Sequence, residues 1–515
     1  VVKSIINTDR FVVLVYTLKN RKPKLTYMKP VLLLTALFIT LVACKKDKEE
    51  TTTPPPTEEP EVVASKYDFS TEAGMTLAVH KEESRRVGAN LGIKSIKDNI
   101  ALFQATVSST TLSKFNKDTI WVEDRGAAIK FVDDPGGHHP GSIVVGNIVV
   151  FYDSVKNNQP ALFLNYLARQ YYGKYMSADA KTSLATHFTS VANKYKNVYG
   201  TNGTKLVQNK VSDASKSVAE YFGELAEAYL SINNVFPFDY HELERFDITG
   251  FNAQKEAWGT RTFTPNPFGI TLPPESLKQS LEYKITDLDK YYRKYIDAEG
   301  FPIVASRYVS DSALVQTKKI VTLMLTRIPD AKAAMLAANF RVGVIGAYEN
   351  VTDLPENRKM NEWWPGTDWD ARGRGYGATE FLPVMSCGEE NIVKIPGYTE
   401  RYPFESIMVH EFAHNVDYGL RKARAGFTAE LLDAFNYAKT NGLWAGTYSM
   451  ENDAEYFAEG VQAWFDTCNM YVMINGVSTK LKTREQLRTY DTKLYDLLSK
   501  IMPTEKLTGY HFTFE

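Results

Sequence analysis

The segment SIMVHEFAHNVD, residues 406–417, decides how this chain is read. His410 and His414 stand four positions apart with Glu411 directly after the first, and Ile407, Met408, Val409, Phe412 and Ala413 around them are apolar. On a helix, positions i and i+4 lie on one face, a turn apart. Both imidazoles can then reach a single Zn²⁺ ion, with Glu411 beside the open position of the metal. A zinc ion held this way lowers the pKa of a bound water toward about 7. Glu411 can take the proton and pass it to a leaving amine. The apolar flanks predict a buried helix that restricts solvent around the metal.

A catalytic zinc site needs a third protein ligand and one open position. One solution places a histidine six residues beyond the second, but Leu420 occupies that position and excludes it. The other common solution is a carboxylate on a downstream helix. The segment ENDAEYFAEGVQAWF, residues 451–465, offers Glu455 and Glu459 one turn apart. One would ligate, and the other would accept a hydrogen bond from a ligand histidine. Spacing alone leaves the two assignments open.

The two halves of the chain repeat a pattern. ENIVKI (390–395), SIMVHEFAHNVD and DAEYFAEGVQAWF (453–465) follow one another in the second half. GNIVVF (146–151), ALFLNYLARQYY (161–172) and VAEYFGELAEAYL (218–230) follow one another in the first, at similar spacing. The differing interval between the helices, about ten residues, is one that a loop tolerates. Three matches in order favour an internal duplication over coincidence.

The span from Gly375 to Phe465, through GATEFLPVMSCGEENIVKIPG (377–397), VHEFAHNVD (409–417) and YSMENDAEYFAEGVQAWF (448–465), resembles the anthrax toxin lethal factor family of zincins. The resemblance implies a gluzincin site with one Zn²⁺ per chain. Its ligands would be His410, His414 and Glu455, and Glu411 would be the base. Tyr448, seven residues before Glu455, would donate to the oxyanion of the tetrahedral intermediate. Glu459 would orient a ligand histidine. That family carries a degenerate copy of its own catalytic fold, which implies an α+β chain with an inactive zincin-like domain before the catalytic one. Asn165, Tyr166, Leu167, Ala168 and Arg169 stand where HEFAH stands, and Glu220 is the counterpart of Glu455. The SCGEEN segment (386–391) is expected to form an edge strand that receives substrate backbone by strand addition.

The rest of the chain frames this reading. The 60 basic and 61 acidic residues give a formal charge of -1, which offers nothing to draw the chain to nucleic acid. The run MKPVLLLTALFITLVAC, residues 28–44, is shorter than the roughly 20 residues that span a bilayer and reads as a lipoprotein signal peptide. Cleavage before Cys44 and lipidation of its thiol would anchor the protein to a membrane of the cell envelope. The charged residues after Cys44 resemble surface-export signals of Gram-negative lipoproteins, which implies the outer membrane and outer-surface display. Residues 1–27, upstream of Met28, read as an overextended start, and 45–64 as a charged and Pro/Thr/Glu-rich spacer. The degenerate domain is expected over 65–250, a linker rich in Pro, Gly and Thr over 251–275, and the metallopeptidase domain over 276–515.

Within these domains SIVVGNIVVFY (142–152) and RVGVIGAY (341–348) read as strands. PALFLNYLARQYYGKYM (160–176), SKSVAEYFGELAEAYL (215–230), SLKQSLEYKITDLDKYYRKYI (276–296) and DSALVQTKKIVTLMLTRI (311–328) read as helices. Cys387 and Cys468 could pair outside the cytoplasm or remain buried thiols. The His138-His139 pair lies in a turn-forming sequence and reads as a loop without metal. No phosphate-binding loop, dinucleotide-binding glycine pattern or GxSxG motif is present. The expected activity is hydrolysis of a peptide or protein substrate. The competing expectation is a surface-anchored binding or adhesion protein that uses two zincin-like modules without turnover.

Overall fold

The computed structural model describes residues 65–509, except 125, 127, 134, 136–138, 157–158, 231–232, 264–265 and 278–290. Cys44, the signal peptide and the spacer lie outside the described residues.

In the first half, β1 (Tyr67–Glu72) and β2 (Met75–His80) form an antiparallel hairpin. Helix α1 (Ala89–Thr106) leads to β3 (Thr119–Val122), which is parallel to β2, and β5 (Ile143–Val145) is parallel to β3. A two-residue strand, β4 (Lys130–Phe131), closes the far edge antiparallel to β5. The sheet order is β1-β2-β3-β5-β4. Helix α2 (Leu162–Gln170) and helix α3 (Val218–Leu230) pack on each other, and a hairpin of β6 (Val198–Thr201) and β7 (Leu206–Lys210) lies between them in sequence.

The second half has the same succession. β8 (Lys294–Ala298) and β9 (Phe301–Ala305) form a hairpin, and helix α4 (Asp311–Leu325) leads to β10 (Arg341–Ile345), parallel to β9. β12 (Val384–Gly388) is parallel to β10, and the two-residue β11 (Gly375–Tyr376) closes the edge antiparallel to β12. The order is β11-β12-β10-β9-β8. Helix α5 (Ile407–Ala423) and helix α6 (Asp453–Trp464) pack on each other as α2 and α3 do. Interior strands β5, β10 and β12 are buried along their whole length, as parallel strands covered on both faces must be.

Each half has its own apolar core, centred on Ile120, Leu167 and Phe222 in the first and on Val342, Phe412 and Phe457 in the second. A third cluster, including Tyr199, Phe236, Tyr291, Val304 and Leu354, joins residues of both. Lys205 pairs with Asp353 across this junction at 3.1 Å, and the buried Arg293 pairs with Glu242.

Four expectations change. The run SIVVGNIVVFY is not one strand. It is β5 followed by a helix, Ile148–Lys156, because Asn147 Oδ1 accepts from the Val150 amide at 3.1 Å and starts a helix despite the β-branched residues. The end of SLKQSLEYKITDLDKYYRKYI is strand β8, paired with β9. The first domain does not end at 250, since the helix Ile248–Trp258 crosses that position and buries Phe251, Ala257 and Trp258 in the first core. SCGEEN is not an edge strand: Ser386, Cys387 and Gly388 belong to β12, which has neighbours on both sides, and β11 holds the edge. Cys387 and Cys468 are both buried free thiols. Among the described residues no helix is long and apolar enough to cross a membrane.

Candidate metal centre

Helix α5 is fixed at its start by two side chains. Ser406 Oγ accepts from the Val409 amide at 3.2 Å, and Asn391 Oδ1 accepts from the Ile407 and Met408 amides at 2.7 and 3.3 Å. These satisfy first-turn donors that would otherwise be orphaned. The apolar face of the helix buries Met408, Val409, Phe412, Ala413, Val416 and Leu420, while Arg421 and Lys422 sit in the last turn, where a positive charge is favourable. Helix α6 begins at Asn452, whose Oδ1 accepts from the Glu455 amide at 2.9 Å, and is buried from Tyr456 to Trp464. Arg421 locks the two helices together, with Nε 2.8 Å from both Asp417 oxygens and Nη2 2.8 Å from Asp453.

This packing brings His410, His414 and Glu455 together. His410 Nε2 lies 3.1 Å from Glu455 Oε2 and 3.3 Å from His414 Nε2, and His414 Nε2 lies 3.3 Å from the same Glu455 oxygen. Zinc bonds of about 2.0–2.1 Å in a tetrahedral arrangement require ligand atoms about 3.3 Å apart. The triangle therefore fits one zinc ion, and among the described residues these three form the cluster of His, Cys, Asp and Glu ligand atoms suited to a metal.

Gln462 completes the His410 environment. Its Oε1 lies 3.2 Å from His410 Nδ1, and its amide nitrogen donates to Ser406 O at 2.9 Å. The second bond fixes which end of the amide faces the ring, so His410 Nδ1 donates to Gln462, which leaves Nε2 as the nitrogen that faces Glu455 and His414. Glu459 Oε1 stands further from Nδ1, at 3.6 Å, and Glu459 Oε2 accepts from Cys468 Sγ at 3.6 Å. Glu459 thus supplies charge beside the ring while Gln462 supplies the shorter contact. Sequence reasoning missed Gln462, although 455, 459 and 462 share one helix face by the i, i+4, i+7 rule.

Burial lowers the His410 pKa, but the hydrogen bond to Glu455 and the charges of Glu459 and Glu411 outweigh it and push it to about 10. Burial raises Glu455, and its hydrogen bonds to both histidines override that and hold it well below the carboxylate range. This field stabilises positive charge at the centre of the triangle. Burial pushes Glu411 up against the opposing charges of His410 and His414. Tyr448 is half exposed and its hydroxyl donates to Glu455 Oε1 at 3.1 Å.

The edge strand comes close enough to reach the site because of its glycines. A Cβ on Gly375 would fall 2.9 Å from Glu411 Cγ, and one on Gly377 would fall 2.8 Å from His414 Cβ. Asn415 Oδ1 accepts from the Ala378 amide at 2.9 Å and holds the segment after β11 to α5. SCGEEN serves as the joint behind it. Glu390 forms a two-point pair with the buried Arg374 at 2.7 and 2.8 Å, Glu389 accepts from Ser310 N at 2.7 Å, and Asn391 caps α5.

In the first half, Asn165 and Arg169 lie on α2. Asn165 Nδ2 donates to Glu227 Oε1 on α3 at 2.7 Å. Glu220 accepts from Ser217 Oγ at 2.9 Å. His139 stacks on Trp121 at 3.7 Å, with Nε2 2.7 Å from Glu123, while His138 lies outside the described residues.

No protein-family model and no curated protein matches this chain. Among solved structures, that of the Pro-Pro endopeptidase PPEP-2 from Paenibacillus alvei is similar over 39% of this chain and 97% of that one, at 20% identity and a TM-score of 0.25.

Proposed function

We propose that the second domain is a zinc-dependent endopeptidase of the gluzincin type. The observation that carries this reading is the His410, His414 and Glu455 triangle, with edges of 3.1–3.3 Å. His410 Nε2, His414 Nε2 and Glu455 Oε2 would hold one Zn²⁺, which supplies an acidified water and polarises the scissile carbonyl. Glu411 accepts the proton of the attacking water and returns it to the leaving amine. The raised pKa from its burial suits a group that must both take and give a proton. Tyr448 exchanges Glu455 for the developing oxyanion as its hydrogen-bond acceptor. Gln462 and Glu459 keep His410 in the tautomer that ligates.

We propose further that the fold is zincin-like and duplicated. Support comes from the two sheets with the same strand order and directions, the paired helices behind each, and the Asn165–Glu227 contact in register with His410–Gln462. The loss of both histidines and the base makes the first domain inactive. The lipid anchor at Cys44, and with it an envelope location, is carried by the sequence of residues 28–44.

The test is cleavage of a peptide library by the wild-type chain and by Glu411→Gln. Cleavage that disappears in a folded, zinc-loaded variant supports the peptidase. A library left intact by the zinc-loaded wild type favours a binding protein without turnover.

A further inference from the structure

A cavity of about 140 Å³ lies in the first domain, lined by residues of both α2 and α3, the counterparts of the ligand-bearing helices. Asn165 and Arg169 line it where the second domain has histidines, together with Glu220, Glu224 and Glu227. Glu224 and Glu227 are each 4% exposed. Glu224 is satisfied by Ser212 Oγ and by the Ala214 amide at 3.1 Å. Glu227 is not: its Oε1 accepts from Asn165, while its Oε2 is buried with no hydrogen-bond partner. An unpaired buried carboxylate oxygen is costly and calls for a donor.

The chemistry of the wall narrows that donor. Anions are disfavoured by three glutamates against one guanidinium, and the Arg169 guanidinium lies over the Tyr166 ring at 4.8 Å. A metal ion is disfavoured because, among the described residues, ligand atoms close enough together to hold one are found at His410, His414 and Glu455 and not here. Apolar groups find no matching surface at the carboxylates. A primary ammonium has three N–H donors spread over several directions and one positive charge, which suits carboxylates arranged around a small space. The volume equals that of about four or five waters at about 30 Å³ each, enough for an ammonium and the end of an alkyl stem. Burial above all, and then the neighbouring Glu224, raise the Glu227 pKa to about 8, and a bound cation favours its ionised form.

We propose that this cavity binds a primary ammonium group, from a lysine side chain or a peptide amino terminus, with Glu227 Oε2 as the innermost acceptor and Glu220 as an outer one. The first domain then captures polypeptide through the remains of a catalytic site. This inference does not rest on the peptidase reading.

The experiment is calorimetric titration of the intact chain with Nα-acetyl-lysine amide, glycinamide and the uncharged control Nα-acetyl-norleucine amide. Saturable binding of a charged probe, with none for norleucine amide, is expected, and which probe binds identifies the source. Glu227→Gln is expected to weaken binding at least tenfold and Glu220→Gln to weaken it measurably, with zinc content unchanged in both. Absence of binding by either charged probe overturns the proposal. So does equal binding by a folded Glu227→Gln, or by Glu220→Gln if the first variant fails to fold. A crystal soaked in the binding probe that shows only water in the cavity overturns it as well.

Discussion

Gln462 Oε1 lies 3.2 Å from His410 Nδ1, while the amide nitrogen of the same side chain donates to Ser406 O at the start of the helix that bears His410. One side chain on α6 therefore holds both the His410 ring on α5 and the turn that presents it. Replacing Gln462 with Ala should weaken zinc binding by about 10–100-fold, the usual cost of losing such an orienting partner. Gln462→Glu still accepts from Nδ1 but cannot donate to Ser406 O, so it should recover only part of it. Competition with a graded series of chelators measures both.

Tyr448 is half exposed, its hydroxyl donates to Glu455 Oε1 and its ring lies 6.4 Å from that of His410, so removing the hydroxyl alone should leave the packing undisturbed. Tyr448→Phe should keep zinc and fold while kcat falls by about 10²–10³-fold, the usual loss for one oxyanion donor. An unchanged kcat on any substrate the wild type cleaves would remove Tyr448 from the mechanism.

Gly377 lies where an added Cβ would fall 2.8 Å from His414 Cβ. Gly377→Ala must push the edge strand or the ligand, with a stability loss of about 1–3 kcal/mol, as for other overpacked sites. Reduced zinc occupancy should accompany it. Chemical denaturation together with metal analysis separates the two effects.

The buried pair Glu224 and Glu227 makes stability depend on pH. Burial raises Glu224 from 4.5 to about 7 and Glu227 from 4.5 to about 8. The folded protein then binds more protons than the unfolded chain over that interval, so stability is fully present below pH 4.5 and falls as pH rises through 7–8. Glu227→Gln keeps an acceptor for Asn165 but cannot ionise. Its melting temperature should rise relative to wild type between pH 5 and pH 8, and melting curves at both ends of that range check the sign.

The parts of this molecule that were legible in sequence are those where chemistry and periodicity coincide. HEFAH combines metal-ligand spacing with an apolar helical face, and DAEYFAEGVQAWF places its glutamates on one face of a second helix. Strand β10 was legible because every residue of RVGVI is buried. SIVVGNIVVFY was misread because the decisive event is a single hydrogen bond, Asn147 to the Val150 amide, inside a run of β-branched residues. The edge strand β11 is two residues long and has no pattern to detect. Gln462 is visible only once His410 is known to turn its Nδ1 toward it, a relation set by helix packing rather than by spacing.

The proposed chemistry requires a zinc ion at His410, His414 and Glu455. Zinc content measured on the purified intact chain, beside His410→Ala and Glu455→Ala, tests it most directly. About one zinc per wild-type chain is expected, as for a single catalytic site, lost or greatly weakened in both variants. A folded wild-type protein that takes up no zinc after reconstitution, or variants that retain it undiminished, would contradict it.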